Sequence, residues 1–547
     1  MSDTLRNSGR LSVAVLGSRV LAVARESLFA HLFGAGFLAD AYQVAFRIPN
    51  LLRDLFAEGA MASAFVPTFT AYLADGDEAG AHRLGRLMVS AVLIATGVVA
   101  LAGVVFAGPV VDLLSNGFDS EVLSFAEKAE KKALAVSLTR VMMPFLCLVS
   151  LAAVFMGMLN ARERFMAPAM APAMFNVVSI VAGVTLLILD PSDERGLWLW
   201  SLGTVVGGGA QAIFQVPPLW RLGFRPWPLV RGFFSNPGVR RIGRLMAPAM
   251  LGLAAVQLNL VFNTRFASAL GHGPVSQYSY AFRLFYLPVG VFGVALATVT
   301  TTKVSVEAAR GDRKAILAAT EEALSAVWML MVASTVGLAV LAEPVVEVLF
   351  ERGAFGHKDT LATAAVLQAM VLALVPYGLV KILAPVFYSI DRPRFPLLAS
   401  ATAVAINIGF NALTYRQLGA PGLALGMSLG MAGNYLILRM TLRRALGSMP
   451  ATHRLRHGVA LAVGAALMGA AVTLGRRLLE TSVLSSEGRG SLGHFLSLVV
   501  LLVLLIPLGF YVYTGILRAF SYPGARALGT MPATVARRVF RRRTASN

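Results

Sequence analysis

The chain has 547 residues, of which 57% are hydrophobic and only 14% charged, and its formal net charge is +20. A soluble domain carries about 25% charged residues and one membrane crossing needs about 20 apolar residues, so the composition excludes a soluble enzyme and leaves room for a dozen crossings or more. A single cysteine, Cys147, excludes a disulfide scaffold. Apolar stretches bounded by charge and turn signals predict about fourteen helices, near 11–32, 41–72, 86–112, 132–160, 166–189, 197–220, 244–269, 277–303, 315–342, 361–389, 395–415, 421–442, 457–478 and 492–518. No cleavable signal peptide is expected, because the stretch after Arg10 runs into a full-length span that contains arginines.

Charge asymmetry orients the set. With the N-terminus in the cytoplasm and the sides alternating, cytoplasmic segments hold 30 of the Lys and Arg residues and outside segments hold ten. That bias predicts a multi-pass protein of the bacterial cytoplasmic membrane with both termini cytoplasmic. The basic tail around Arg537, Arg538 and Arg541 then reads as a topology signal and an anchor for anionic membrane lipids rather than as a nucleic-acid site.

Three weak echoes run in order along the chain. Gly34-Ala-Gly36 with Ala45-Phe46-Arg47 returns as Gly271-His-Gly273 with Ala281-Phe282-Arg283. Arg162-Glu-Arg164-Phe165 returns as Arg392-Pro-Arg394-Phe395, each followed by an asparagine, Asn176 and Asn407. Gly207-Gly-Gly-Ala-Gln211 returns as Gly430-Met-Ala-Gly-Asn434. Together they predict an all-α membrane protein of two six-helix lobes in parallel pseudo-repeat. The expected divisions are 1–222, 223–446, an appended helix pair over 447–519, and a basic tail over 520–547.

Eight cations fall at membrane depth: Arg19, Arg25, Arg47, Arg53, Arg140, Arg265, Arg283 and Lys381. A helix-centre arginine costs about 2.5–3.5 kcal/mol on insertion scales, so it belongs beside water or a partner. Arg47, Arg265 and Arg283 lie near enough to helix ends to reach the headgroups, whereas Arg19 and Arg53 do not. Lys381 reads equally well as facing a cavity or as meeting helix dipoles. On a helical wheel Arg19 and Glu26 lie about 20° apart, as do Arg47 and Asp54, which predicts that each pair is partly neutralised. Glu58 and Asp40 complete the acids of this region. An excess of arginine suits an anionic cargo, because guanidinium grips phosphate oxygens in a fork and stays charged. A cation exporter should show carboxylates instead.

Residues 17–67 carry a longer pattern: Gly17-Ser18-Arg19, Ala24-Arg25-Glu26, Phe33-Gly-Ala-Gly36, Ala39-Asp40-Ala41, Ala45-Phe46-Arg47-Ile48-Pro49-Asn50, Arg53, then Phe56-Ala57-Glu58-Gly59-Ala60 and Ala64-Phe65-Val66-Pro67. This stretch resembles the MurJ (MviN) family of lipid II flippases, within the multidrug/oligosaccharidyl-lipid/polysaccharide exporter superfamily. The resemblance thins but continues through Arg140 with Pro144, Pro168, Arg283 with Pro288-Val-Gly290, and Lys381-Ile-Leu-Ala-Pro385. It implies a fourteen-helix flippase, not an enzyme, that carries lipid II, an undecaprenyl-diphosphate-linked sugar-peptide, to the outer leaflet. It further implies that Arg19, Arg25, Arg53 and Arg283, with Ser18 and Ser276, bind that substrate. Glu26, Asp40, Arg47, Glu58 and Lys381 would supply supporting charge or gating. Cell-wall synthesis proteins are the implied partners, and no cofactor is expected.

The sequence departs from the family at Glu26, where relatives often have aspartate, at Asp54, where many have a basic residue, and at Phe282 and Tyr286, which flank Arg283 where relatives can be acidic. A sodium site of the second lobe would fall on Asn407 and Asn411, which bring no carboxylate, and the coupling ion stays open. His453 and His457 sit in a basic loop without thiolate or carboxylate neighbours and do not make a zinc site. The run Gly207-Gly208-Gly209 lacks the strand and lysine of a phosphate loop and reads as close helix packing. The competing readings are export of another polyprenyl-linked glycan or a small drug, a polyprenyl-phosphate glycosyltransferase, which would need acidic cytoplasmic clusters, and a non-transporting scaffold for cell-wall assembly.

Overall fold

The computed structural model describes residues 2–55, 60–233, 235–447, 454–480 and 492–526. Glu58, His453 and the arginines of the tail from Arg537 onward lie outside the described residues. What is described is helical. The helices are α1 (Ser2–Phe33), α2 (Phe37–Arg53), α3 (Ala60–Ala74), α4 (Glu78–Val105), α5 (Ala107–Ser115), α6 (Phe125–Met142), α7 (Pro144–Ala161), α8 (Met166–Leu189), α9 (Asp193–Ile213), α10 (Val216–Arg221) and α11 (Pro237–Ser268). They continue as α12 (Pro274–Pro288), α13 (Val294–Ala309), α14 (Arg313–Val340), α15 (Ala342–Phe350), α16 (His357–Met370), α17 (Leu374–Ser389), α18 (Arg394–Leu446), α19 (Arg454–Leu479) and α20 (Leu492–Ala519).

Ten helical segments among the described residues are long and apolar enough to cross a membrane. The expected count was fourteen. One of the ten, α18, holds two of the expected segments, folded back at Gly419, whose backbone (φ 60°, ψ −150°) breaks the helix just before Pro421. The expected segments 11–32, 41–72 and 244–269 are not among the ten. Segment 11–32 carries Arg19, Arg25 and Glu26, and 41–72 is divided between α2 and α3.

Proline explains most other departures from the expected limits, because it lacks an amide donor and its ring clashes with the preceding turn. The expected helix 132–160 parts at Met143, and Pro144 opens α7. Likewise α12 ends at Pro288 and passes through a wide turn, Val289–Gly293, before α13.

The chain divides into two compact units: residues up to Gln277 with Arg352–Asp359, and Tyr278–Glu351 with the described part of Thr360–Asn547. In the first, Phe65 and Phe69 of α3, Leu84 and Met88 of α4, and Phe155 and Met158 of α7 form a buried core that Phe224 and Ile242 complete. A Cβ on Gly208 of α9 would stand 2.8 Å from the Phe145 ring, and one on Gly207 would stand 2.9 Å from Phe175. The glycine run is therefore a packing surface. Gly34 takes φ +65° at the end of α1 and lies so close to the Ala354 carbonyl that a side chain there would collide.

In the second unit, Leu324, Val327 and Met331 of α14 pack with Leu379, Leu383 and Phe387 of α17 and with Leu438 and Leu442 of α18. The pair α19–α20 packs on α14 through Met468, Val472, Leu501, Leu505 and Tyr513. The Tyr513 hydroxyl donates to the Met329 carbonyl at 3.0 Å, and Arg476 reaches Glu343 at 2.6 Å. The opposite side of α20 leaves Leu496, Val500, Val503 and Leu504 exposed, as a lipid-facing stripe requires. Gly430 repeats the role of Gly207: a Cβ there would stand 2.6 Å from the Ala403 carbonyl.

Candidate functional site

Asp40 lies in the first turn of α2 and is fully buried. An isolated carboxylate cannot remain charged in such a place, and four donors meet this one. Its Oδ2 accepts from Lys131 Nζ at 2.9 Å and from the Gly273 amide at 2.7 Å. Its Oδ1 accepts from the Ser276 amide at 2.8 Å and from Ser276 Oγ at 2.7 Å. The carboxylate thus caps the N-terminal turn of α12, where unpaired amides favour an anion.

Lys131, in α6, is fully buried as well. Besides Asp40, its ammonium donates to the Gly271 carbonyl and to His272 Nδ1, each at 3.2 Å. The Phe118 ring lies 4.9 Å from its Nζ. Three donors therefore meet three acceptors, and a buried ion pair ties α2, α6 and the loop before α12 together within the first unit.

Ser276, expected to contact substrate, is fully buried and bound to Asp40, because it stands at the helix turn that the carboxylate caps. In the sequence Lys131 is one of three lysines, with Lys128 and Lys132, within five residues of an outside segment. Its place beside Leu134, Ala135 and Leu138, all buried on the same helix face, is the signal that would have found it.

His272 joins this network from its rim. Burial holds its imidazole below the usual range, and the Lys131 ammonium pushes the same way, while Asp40 and Glu127 oppose both. The neutral ring is what accepts from Lys131, so its proton sits on Nε2, facing Glu127 at 3.9 Å. A depressed histidine stabilises the fold above its unfolded value of about 6.5 and loses that contribution as pH falls through the folded one. Thermal melting of the purified protein should therefore decline from pH 7 to about pH 5. His272→Gln, which keeps an acceptor, should flatten that decline, and an unchanged decline would remove His272 as its cause.

The arginines of α1 and α2 occupy the same unit. Arg25 is buried, pairs with Glu26 beside it, and lies 4.9 Å from the Phe175 ring. Arg53 pairs with Asp54 at 2.8 Å, and Gln257 also reaches that carboxylate, at 3.4 Å. A helical wheel pairs Glu26 with Arg19 and Asp54 with Arg47. Those residues are two turns, about 11 Å, apart along the axis, whereas the adjacent arginine reaches by side-chain rotation alone. Arg19 and Arg47 are half-buried on the same two helices. The Ser18 carbonyl accepts from Asn176 at 3.2 Å, which ties α1 to α8.

Arg265, in the last turn of α11, donates to Asn116 at 2.6 Å. In the second unit Arg283 is half-buried on α12, next to the stacked rings of Phe282 and Tyr286. Lys381 lies 5.5 Å from the Tyr377 ring. Asn407 and Asn411 are buried on α18. Among the described residues no group of three or more His, Cys, Asp or Glu could hold a metal ion.

This helical architecture is that of polytopic transporters. The inward-facing conformation of a multidrug resistance MATE family transporter of the MOP superfamily matches 80% of this chain and 96% of its own at a TM-score of 0.63 and 16% identity. The lipid II flippase MurJ in an inward closed conformation matches 93% of this chain and 99% of its own, with a TM-score of 0.73 and 23% identity. The chain belongs to the lipid II flippase MurJ family, whose model matches residues 29–488. The lipid II flippase MurJ of Burkholderia cenocepacia is 33% identical over 82% of this chain and 86% of its own length. The probable lipid II flippase MurJ of Vibrio cholerae is 33% identical over 86% and 89%. With ten apolar segments of crossing length among the described residues, the chain is a multi-pass membrane protein.

Proposed function

We propose that this protein moves lipid II from the inner to the outer leaflet of the cytoplasmic membrane, with no chemical step and no resident cofactor. Membership of the MurJ family over residues 29–488 carries the reading, and the arginines of α1 and α2 give it a chemical basis. Moving a diphosphate through hydrocarbon costs tens of kcal/mol, so the protein must replace its hydration while the prenyl tail stays in the bilayer. Arg19, Arg25 and Arg53, with Ser18 close by, form the proposed diphosphate region of the first unit. Arg283 is proposed on the strength of its sequence echo of Arg47. Alternating access is the proposed cycle, and a membrane potential, at about 2.3 kcal/mol per charge per 100 mV, is strong enough to bias it. Export of a drug or another glycan has only the MATE-like fold in its favour.

The test is leaflet accessibility of lipid II in cells depleted of the protein. An accumulation of inner-leaflet lipid II that the wild-type gene reverses is expected. Normal distribution after depletion would overturn the proposal. Orientation has its own check: reporter tags at residues 80, 230 and 310 should read cytoplasm, and tags at 193 and 272 should read outside. A cytoplasmic signal at 272 would break both the helix count and the repeat.

A further inference from the structure

Between α10 and α11 the chain forms a strap laid along α4. Phe224 is buried, its ring edge-on to His82 at 5.4 Å, and a Cβ on Gly85 would stand 2.9 Å from it. The Trp227 carbonyl accepts from Arg86 Nε at 3.1 Å, and the Leu229 amide donates to Ser90 Oγ at 2.6 Å. From His82 to Ser90 the strap follows about 12 Å of a membrane-crossing helix, starting at its end.

The side that faces away from α4 has an unusual make-up. Trp227 is 62% exposed, Val230 61% and Trp220, just before the strap, 56%. Arg221, Arg225 and Arg231 are exposed among them. Over residues 216–246 there are six arginines and no aspartate or glutamate. Exposed tryptophans at the end of a membrane helix belong at headgroup level, where the ring is half in hydrocarbon and its N–H meets water. Guanidinium beside such rings binds phosphate oxygens in a fork. A free basic loop could serve as a topology signal alone. This one is fixed by a buried ring and two backbone hydrogen bonds, so its tryptophans and arginines are held in place.

We propose that the 220–231 strap is a binding site for the phosphate headgroups of anionic glycerophospholipids in the surrounding bilayer. Trp220, Trp227 and Val230 enter the acyl boundary, and Arg221, Arg225 and Arg231 hold the phosphates. The inference does not depend on what the protein transports.

The test uses the full-length protein in nanodiscs free of polyprenyl lipid, with brominated phosphatidylglycerol or brominated phosphatidylcholine as the quencher. The chain has five tryptophans, and the signal of Trp227 is the difference between wild type and Trp227→Phe. Phosphatidylglycerol should quench that component more strongly at low salt. The preference should shrink in 1 M salt, where screening acts within about 3 Å. Removing charge in Arg225→Gln/Arg231→Gln should lower it about fivefold per arginine, while Arg225→Lys/Arg231→Lys should retain most of it. Equal quenching by the two lipids, or an undiminished preference in the glutamine variant, would overturn the proposal. So would a Trp227 that neither lipid quenches, the result expected if the strap stands clear of the bilayer. If the variants do not fold, the wild-type lipid comparison and its salt dependence still decide.

Discussion

Lys131→Met is expected to destabilise the first unit by about 3–5 kcal/mol, the usual cost of stripping one partner from a buried ion pair. Methionine fills the space but leaves Asp40 charged and fully buried, with only the Gly273 and Ser276 donors beside it. It also frees the Gly271 carbonyl and His272 Nδ1 from the donor that held their loop. Asp40→Asn should fail for the complementary reason, since an amide has one accepting oxygen where the carboxylate uses two, and the lysine keeps its charge. Removing both charges together, in Asp40→Asn/Lys131→Met, should recover part of the loss, because no unpaired ion is then buried. Thermal melting of the four proteins in one detergent gives the coupling as a double-mutant cycle. A Lys131→Met protein that melts like wild type would show that the pair contributes nothing to folding.

The two members of this pair differed in how visible they were before the structure. Asp40 stood in a patterned stretch that resembles a known family, so its importance was readable while its partner was not. Lys131 sits among Glu127, Lys128, Glu130 and Lys132, where a count of loop charges absorbs it. Only the helical phase, which puts it in line with Leu134 and Leu138, separates it from its exposed neighbours. Helix existence was readable from apolar runs, and the breaks at Pro144, Pro288 and Gly419 follow from proline and glycine chemistry. Charge pairing was less accessible. A wheel gives only the direction in which a side chain leaves the helix, and Arg25–Glu26 and Arg53–Asp54 form through side-chain length and rotation instead. Ser276 shows the same limit, since its role depends on a carboxylate 236 residues away in sequence.

The same geometry decides which arginines a substitution can interrogate. Arg25→Ala would leave Glu26 buried without its guanidinium, so lost folding would mask any loss of binding. Arg19 and Arg53 are half-exposed positions where truncation leaves no fully buried acid behind. Arg19→Ala and Arg53→Ala are therefore expected to reach the membrane at normal abundance and fail to support growth in cells lacking their own lipid II flippase. A charge-assisted hydrogen bond contributes roughly 1.5–3 kcal/mol, so each loss should weaken capture of the lipid-linked diphosphate by about ten- to a hundredfold. Arg53→Lys keeps the charge but cannot hold two oxygens in one plane, and partial rescue at best is expected. Arg283→Ala should behave like Arg19→Ala. Arg265 bonds Asn116 at the end of α11, so Arg265→Ala should leave flipping intact. Complementation paired with leaflet accessibility of lipid II reads all five variants. Normal flipping by both Arg19→Ala and Arg53→Ala at normal abundance would remove these arginines from the substrate site, and a failure of Arg265→Ala alone would move the site to the end of α11.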